Sequence, residues 1–286
     1  MKKTILRATL VLAPYLQVNS QDLKSKKGEN YLPEAKDFAL QIDAVPFLEY
    51  TGKLLSNAGA NSPAVNSVAS APFTIGGKYF VKNDFAYRAK VRISSLSNTI
   101  KNTVINNAKT STDTVYSSDS RVTKSSRVNI SFGFEKRRGK TRLQGYYGAE
   151  AMLQIGGGST KYNYANAYSK DNPSVFTSDF DVANASGYLS SLKASRLLQV
   201  KNGATFGLGA RAFIGAEYFI FPKISLAAEF GWGIAYRNTN DGSATIERWD
   251  VANSTGVNKT TPVGGGSVFG VDTDNNGGQL LLTFHF

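Results

Sequence analysis

The chain has 286 residues, contains no cysteine and carries a formal net charge of +12. The absence of cysteine excludes disulfides, a thiolate metal site, a cysteine nucleophile and the acylated cysteine of a lipoprotein. No segment reaches the roughly 18 consecutive apolar residues of a transmembrane helix, so a helical membrane protein is excluded. Basic residues are interleaved singly with apolar ones and seldom form runs, which argues against nucleic-acid binding.

The first 20 residues are interpreted as a signal peptide. Lys2 and Lys3 supply positive charge, residues 8–16 form a short apolar core, and small residues precede the expected cleavage before Gln21. Arg7 shortens the apolar run, so an amphipathic amino-terminal helix stays the alternative. Residues 21–36 are polar without periodicity and are expected to form a mobile periplasmic lead-in. Residues 37–286 would then form one domain.

Seven segments of this domain alternate apolar and polar residues with the two-residue period of a β-strand. The first is Asp37–Val45, which Pro46 ends, and residues 47–55 have helix-like spacing inside the following loop. The other six segments are residues 73–82, 87–94, 127–134, 143–155, 206–220 and 224–236. Short turns at residues 83–84, 136–140 and 221–223 follow the second, fourth and sixth segments. The glycines at 156–158 are expected to end the fifth.

The carboxyl-terminal segment Gly278–Phe286 is an eighth strand. Leu280, Leu282, Phe284 and Phe286 lie on one face and alternate with Gln279, Leu281, Thr283 and His285 on the other. An unpaired edge is costly in water and prohibitive in lipid, so this strand is predicted to close antiparallel on Asp37–Val45. Eight strands with alternating short and long connections predict an all-β, eight-stranded antiparallel up-and-down barrel.

A last strand of alternating apolar residues that ends on an aromatic residue is also the signature of bacterial outer-membrane barrels. With its strand pattern and loop alternation, the chain resembles the small, porin-like outer-membrane barrel proteins of the OmpA, OmpX and OmpW type. The resemblance implies a transmembrane barrel with both termini in the periplasm, short periplasmic turns and long extracellular loops. A soluble secreted barrel such as a lipocalin-like carrier stays the alternative, because periodicity cannot show which face is outside.

The resemblance also implies partners. The assembly machinery would read Leu280, Leu282, Phe284 and Phe286 as its signal, and the outer wall would contact outer-membrane lipid and lipopolysaccharide. Aromatic residues near strand ends would form an interfacial girdle. The predicted girdle consists of Tyr79, Tyr87, Tyr147, Tyr218, Trp232 and Tyr236.

The polar face of the strands predicts a network of charges in the barrel lumen. Its predicted members are Asp43, Lys78, Arg88, Lys90, Arg92, Arg127, Glu135, Arg142, Glu150, Arg211, Glu217 and Glu229. An eight-stranded interior is just wide enough for side chains to fill, which favours a structural plug over an ion path. The basic residues at 136–138 and 140 are instead expected in a solvated turn.

Enzymatic or metal chemistry is not indicated. His285 is the only histidine and has no acid near it in sequence, which disfavours a serine-hydrolase site. Residues 272–277 fit half of a calcium loop, but Thr283 stands where a glutamate is needed, so a plain turn is preferred. No cofactor is expected. The sequence favours a non-enzymatic outer-membrane protein that acts through its extracellular loops or within an envelope complex. A small pore for ions or solutes is the alternative, and a lipid-modifying barrel enzyme is disfavoured.

Overall fold

The computed structural model describes residues 23–44, 74–107, 115–184, 187–272 and 279–286. The expected signal peptide, the helix-like segment 47–55 and all but the first residue of the candidate calcium turn lie outside these ranges. Within them, no helix is long and apolar enough to cross a membrane.

The described chain folds into β-strands joined by turns and irregular segments. Their bounds are β1 Phe38–Asp43, β2 Ile75–Lys82, β3 Phe85–Ile105, β4 Tyr116–Arg138, β5 Leu143–Asn163, β6 Val175–Asn184, β7 Gly187–Lys193, β8 Ser195–Phe221, β9 Ile224–Thr239, β10 Gly242–Asp250, β11 Thr255–Val263, β12 Gly266–Asp272 and β13 Gln279–His285.

Eight of these strands close into an antiparallel ring. The order is β1, β2, β3, β4, β5, β8, β9 and β13, and β13 pairs back onto β1. The closing seam pairs Ala39 with His285 and Asp43 with Leu281. Hydrogen bonds between the backbones of Phe38 and Phe286, at 3.2 and 2.8 Å, extend it by one residue. The predicted eight-stranded up-and-down barrel and its predicted closure are therefore confirmed.

One end of the barrel, here named the short-turn end, carries tight connections at residues 83–84, 139–142 and 222–223. Lys223 adopts a left-handed conformation with φ of 62°, and Gly139 has φ of 130°. These turns lie where the sequence predicted them, although β4 extends into the middle one by three residues. The opposite end, the long-loop end, carries the remaining connections.

The strands rise further at the long-loop end than the sequence predicted. β3 and β4 stay paired up to Ile105 opposite Tyr116, across a stretch expected to be loop. The expected alternation disappears there, because the outward face becomes polar and the other face mixes Leu96, Ile100 and Val104 with polar residues, while the backbone ladder continues. The glycines at 156–158 do not end β5, because the ladder with β4 runs through all three without a break and the strand continues to Asn163. The bulge at this level lies on β8, where Gly203 and Ala204 stand opposite Gly157.

Five further strands occupy segments that were expected to be loops. β6 and β7 form a separate hairpin. β10 and β11 form another hairpin, which extends the sheet from the upper part of β8. β12 pairs with the upper part of β9, and β13 pairs with its lower part. The described parts of these connections thus form ordered strands at the long-loop end.

The lead-in at residues 23–37 crosses beneath the short-turn end, where an irregular mobile arm had been expected. The backbone of Tyr31 accepts a hydrogen bond from Lys223, and Ala35 donates to the side chain of Asn83 at 2.8 Å. Lys223 also forms a salt bridge with Asp37. The guanidinium of Arg142 lies 3.6 Å from the centre of the Tyr31 ring. The lead-in therefore contacts all three turns of the short-turn end.

The outer wall of the ring is an apolar band. Phe132, Ile214 and Phe230 project from it and are 61 to 66% exposed. On β9 the band runs from Ile224 to Tyr236, about 40 Å along the strand and about 30 Å in height at a typical barrel tilt. All six predicted girdle residues lie on this outer face. Above Ile93 the outward positions of β3 become Ser95 and Ser97, so the band ends while the strand continues.

Candidate functional site: the barrel lumen

The lower half of the lumen is filled by charged side chains from the inward positions of the ring strands. This set, named here the ion-pair layer, consists of Lys78, Arg88, Lys90, Arg137 and Arg211 with Glu135, Glu150, Glu217 and Glu229. Each of these residues is at most 7% exposed. Charges this deeply buried need close partners, because burial removes their hydration.

Glu229 on β9 is the carboxylate of the layer with three cations within 3.2 Å. It binds Arg88 at 2.8 Å, Lys90 at 3.2 Å and Arg211 at 2.7 Å. Arg88 and Arg211 lie on different walls of the ring, so this one carboxylate ties strands together across the lumen.

Arg88 lies at the centre of the layer. Besides Glu229, its guanidinium lies 3.4 Å from Glu135 and 3.5 Å from Glu150. Lys78 approaches Glu135 at 2.7 Å and Glu217 at 3.8 Å. The carboxylates therefore alternate with cations through the layer, which is the arrangement that lowers the cost of burying both.

Aromatic side chains fill the space that the charges leave. The guanidinium of Arg88 stacks 4.0 Å from the centre of the Phe213 ring, and Lys78 lies 5.0 Å from that of Tyr146. Glycine makes this packing possible. A Cβ at Gly148 would lie 1.9 Å from the backbone oxygen of Phe134 and 2.6 Å from the Phe213 ring.

His285 closes the lumen at the short-turn end, between the rings of Phe80 and Phe219. Its Nε2 lies 3.2 Å from Glu217 and 3.4 Å from the hydroxyl of Ser225. The fold thus brings to His285 an acid that lies 68 positions away in sequence. A hydrolytic relay would need the acid on one ring nitrogen and the serine on the other. Here both contact Nε2, and His285 is 4% exposed, so the arrangement does not support that chemistry.

Above the ion-pair layer the lumen opens into two cavities. The first, of about 330 Å³, lies directly on the layer and is lined by Lys90, Glu150 and Arg211 together with Arg92 and Arg237. The second, of about 410 Å³, lies nearer the long-loop end. Arg92, Arg127 and Arg237 line it together with serine, threonine, glutamine, asparagine and glycine residues.

Most of the charges predicted for the lumen come together in the ion-pair layer. Arg92 and Arg127 lie above it in the second cavity. Asp43 is close enough to act electrostatically on Arg92. Arg142 does not join the layer, because it precedes β5 and stacks on Tyr31.

Sequence reasoning missed one member of the ion-pair layer. Arg137 was expected in the solvated turn, but it is 2% exposed and pairs with Glu217. The alternation of β4 did indicate this position, because Arg137 lies on the same inward face as Gly133 and Glu135. His285 was recognised as facing the lumen, but its acidic partner could be found only from the fold.

At the long-loop end, polar side chains order the sheet above the ring. Buried Asp119 accepts backbone hydrogen bonds from Ala165 at 2.9 Å and Ser178 at 2.8 Å. Arg196 stacks between Tyr164 and Tyr168, at 4.6 and 4.7 Å, and pairs with Glu247 at 2.8 Å. Burial raises the pKa of both tyrosine hydroxyls above the ordinary value, while the charge of Arg196 acts in the opposite direction.

Among the described residues, no group of three or more histidine, cysteine or acidic side chains is arranged to hold a metal ion.

Comparison with known proteins adds similarities of shape only. No protein-family model and no curated protein matches the sequence. Among solved structures, a major outer membrane protein from Thermus thermophilus is similar, with a TM-score of 0.36 and 9% identity over 88% of this chain and 100% of that one. The outer membrane protein OprG from Pseudomonas aeruginosa is also similar, with a TM-score of 0.31 and 11% identity over 90% and 98% of the two chains. At these scores neither similarity defines a relationship.

Proposed function

We propose that this chain is an integral outer-membrane barrel whose short-turn end and both termini face the periplasm. The support is the direction in which the apolar and the charged side chains of its strands point. The apolar residues of the ring point outward in a band about as tall as a bilayer's hydrocarbon core, and the charges point inward. A soluble carrier of the lipocalin type needs the reverse, with apolar residues around an interior ligand. The outward apolar face therefore favours lipid as the surroundings.

The barrel is proposed to be non-conducting, and the ion-pair layer is the observation that carries this. A conducting path needs a continuous column of water through the lumen. The layer instead interposes buried, mutually paired side chains with Phe213 and Tyr146 packed among them. His285, Phe80 and Phe219 add a second closure, and the lead-in crosses beneath them.

The sheet at the long-loop end is then proposed to be the part of the protein that binds partners. Above the apolar band, β3 to β5 and β8 continue as polar strands that the hairpin β10–β11 widens. Asp119 and Arg196 hold this region in a fixed shape, which suits contact with other envelope proteins or surface partners. Lipopolysaccharide and the assembly machinery are proposed as the remaining partners. No catalytic role is proposed.

Conductance in planar bilayers tests the proposal. The full chain, folded in detergent and added to a bilayer, is expected to give no steady single-channel openings. Heat-modifiable migration on a gel would establish in parallel that the protein added is a folded barrel. Steady openings in the unmodified protein, altered in size by Arg211→Gln, would show that the layer conducts and would refute the proposal.

A small pore is the second candidate function, because the two cavities already occupy the upper half of the lumen. Only the ion-pair layer and the closure at His285 separate them from the short-turn end. If the protein is a pore, Arg237→Gln, which changes the lining of both cavities and leaves the ion-pair layer intact, will shift the anion preference of the openings.

A further inference from the structure

The cavity lined by Arg92, Arg127 and Arg237, named here the arginine cavity, differs chemically from the layer beneath it. We propose that it binds a small organic anion bearing phosphate or carboxylate groups, which enters from the long-loop end. This binding role goes beyond the proposed non-conducting barrel and does not depend on it.

The three arginines converge from opposite walls. Arg92 on β3 lies opposite Asn129 of β4 in the strand register, and Arg127 is two positions from Asn129. Arg92 and Arg127 are therefore diagonal neighbours on the inner face. Arg237 lies on β9, which is four strands from β3 in either direction around the ring of eight. It therefore faces Arg92 across the lumen, and both side chains line the same cavity.

Within the described chain these arginines lack the partners that every cation of the ion-pair layer has. None of the salt bridges or side-chain hydrogen bonds found there involves Arg92, Arg127 or Arg237. Asp43 acts on Arg92 through space but does not line the cavity. The described lining of the arginine cavity contains no acidic residue. Like charges that face one another in this way favour an anion between them.

The walls between the arginines leave room for a ligand and offer it hydrogen bonds. Gly156, Gly158 and Gly207 occupy inward positions of β5 and β8, so those walls project no side chains there. Asn129, Gln154 and Asn202 line the same space. A guanidinium binds phosphate or carboxylate through two parallel N–H donors, and neutral amides can complete the hydrogen bonding of the ligand's remaining polar atoms.

The position of the cavity selects a free anion over a lipid headgroup. It lies inside the ring, separated from the bilayer by the barrel wall, and the ion-pair layer closes it below. The exposed side chains of Arg127 and Arg237 show that water reaches it from above. The volume of about 410 Å³ suits a small molecule.

Calorimetric titration of the folded full chain in non-ionic detergent tests the proposal, with pyrophosphate and citrate as separate probes at fixed ionic strength. We expect saturable binding of at least one probe. Arg92→Gln and Arg237→Gln should each weaken it about tenfold or more, the effect of losing one charge-assisted contact. The matched control is Arg248→Gln, which removes the same charge from a position on β10 outside the cavity and should leave binding unchanged.

The outcomes separate clearly. Binding of pyrophosphate alone, of citrate alone or of both supports the site and identifies the group it recognises. No saturable binding of either probe by protein with heat-modifiable migration overturns it. Equal weakening by Arg248→Gln also overturns it, because the attraction would then come from the overall charge of the protein. None of these results depends on whether the barrel conducts, so this proposal and the non-conducting barrel fail separately.

Discussion

The lower and upper halves of the lumen are both lined by inward-facing residues of the ring strands, yet their charges are arranged differently. In the ion-pair layer, Arg88 and its neighbours are buried and contact glutamates at distances from 2.7 Å. In the arginine cavity, Arg92, Arg127 and Arg237 reach water, and no described carboxylate pairs with them. Buried charge in the lower half therefore holds the walls together, whereas charge in the upper half is available to a solute. Equivalent substitutions in the two halves should have different consequences.

The largest effect is expected from Glu229→Gln. The substitution removes the nearest carboxylate of Arg88, Lys90 and Arg211, which keep longer contacts with Glu150 at 3.1 to 3.9 Å. Loss of one partner from a buried ion pair costs about 3 to 5 kcal/mol. Urea unfolding from detergent micelles, followed by tryptophan fluorescence, measures the change. Glu247→Gln is the control, since its side chain is 22% exposed and Arg196 keeps its hydrogen bond to the carbonyl of Asn166, so the change should cost less, about 1 to 2 kcal/mol. Equal effects of the two substitutions would remove the distinction between the ion-pair layer and a single, partly exposed ion pair.

Gly148→Ala tests how tightly the lower half is packed. The new methyl would collide with the backbone of Phe134 and the ring of Phe213, and overpacking of this kind costs about 1 to 3 kcal/mol. Gly207→Ala makes the same change beside the arginine cavity, where the nearest atoms are 3.3 Å away on the Gln154 side chain. It should change the free energy of unfolding by less than about 0.5 kcal/mol. If both variants unfold at the same urea concentration, the upper half is as tightly packed as the lower.

Arg92→Gln should have a smaller effect than either lower-half substitution. Removing one of several mutually repelling charges in a hydrated space changes the free energy of unfolding by about 0.5 kcal/mol, in the stabilising direction. Added salt should reduce this gain, because salt screens exposed charges. Unfolding midpoints at low and high salt provide the measurement. A clear loss of stability at both salt concentrations would mean that Arg92 has a structural partner like those of Arg88.

Tyr146→Phe should have the smallest effect. The Tyr146 hydroxyl is buried without a hydrogen-bond partner among the described residues, so its removal should leave stability equal or slightly higher. Tyr164→Phe is the matched control, because that hydroxyl donates to the backbone of Leu197 at 2.8 Å and its loss should cost about 1 kcal/mol. If Tyr146→Phe lowers the free energy of unfolding as much as Tyr164→Phe does, the Tyr146 hydroxyl must have a hydrogen-bond partner. Both variants can be followed in the same unfolding assay.

The ring could be predicted from the sequence because the two faces of its strands differ in polarity. Outward Leu280, Leu282 and Phe284 opposite inward Thr283 and His285 define both the strand and its orientation. The same alternation, with Leu40 and Ile42 outward, identified the strand on which it closes. Wherever one face contacts an apolar medium and the other faces charges, period and register follow directly from the residues.

The strands above the band could not be predicted in the same way. Ser95 to Ile105 do not continue the apolar-out alternation, because the outward face becomes polar and the other face mixes apolar with polar residues. The three consecutive glycines at 156–158 resembled a strand end, whereas the ladder with β4 runs through all three without a break. Arg137 was missed because its basic neighbours suggested a turn. Long-range partnership, such as that of His285 with Glu217, depends on the closed ring and is not encoded in any local segment.

The seam between β1 and β13 also constrains the order in which the barrel assembles. The side chain of Gln41 donates a hydrogen bond to that of Thr283 across this seam, and the two residues are 242 positions apart in sequence. Neighbouring strands elsewhere in the ring are much closer in sequence. Contacts between residues so distant in sequence form slowly, because a long chain must first be ordered. Hairpins such as β2–β3 and β8–β9 can form early, but the ring stays open until β13 reaches β1. During that interval both edges present unpaired backbone groups that any extended strand could occupy. The nascent barrel thus needs its two edges shielded until they meet.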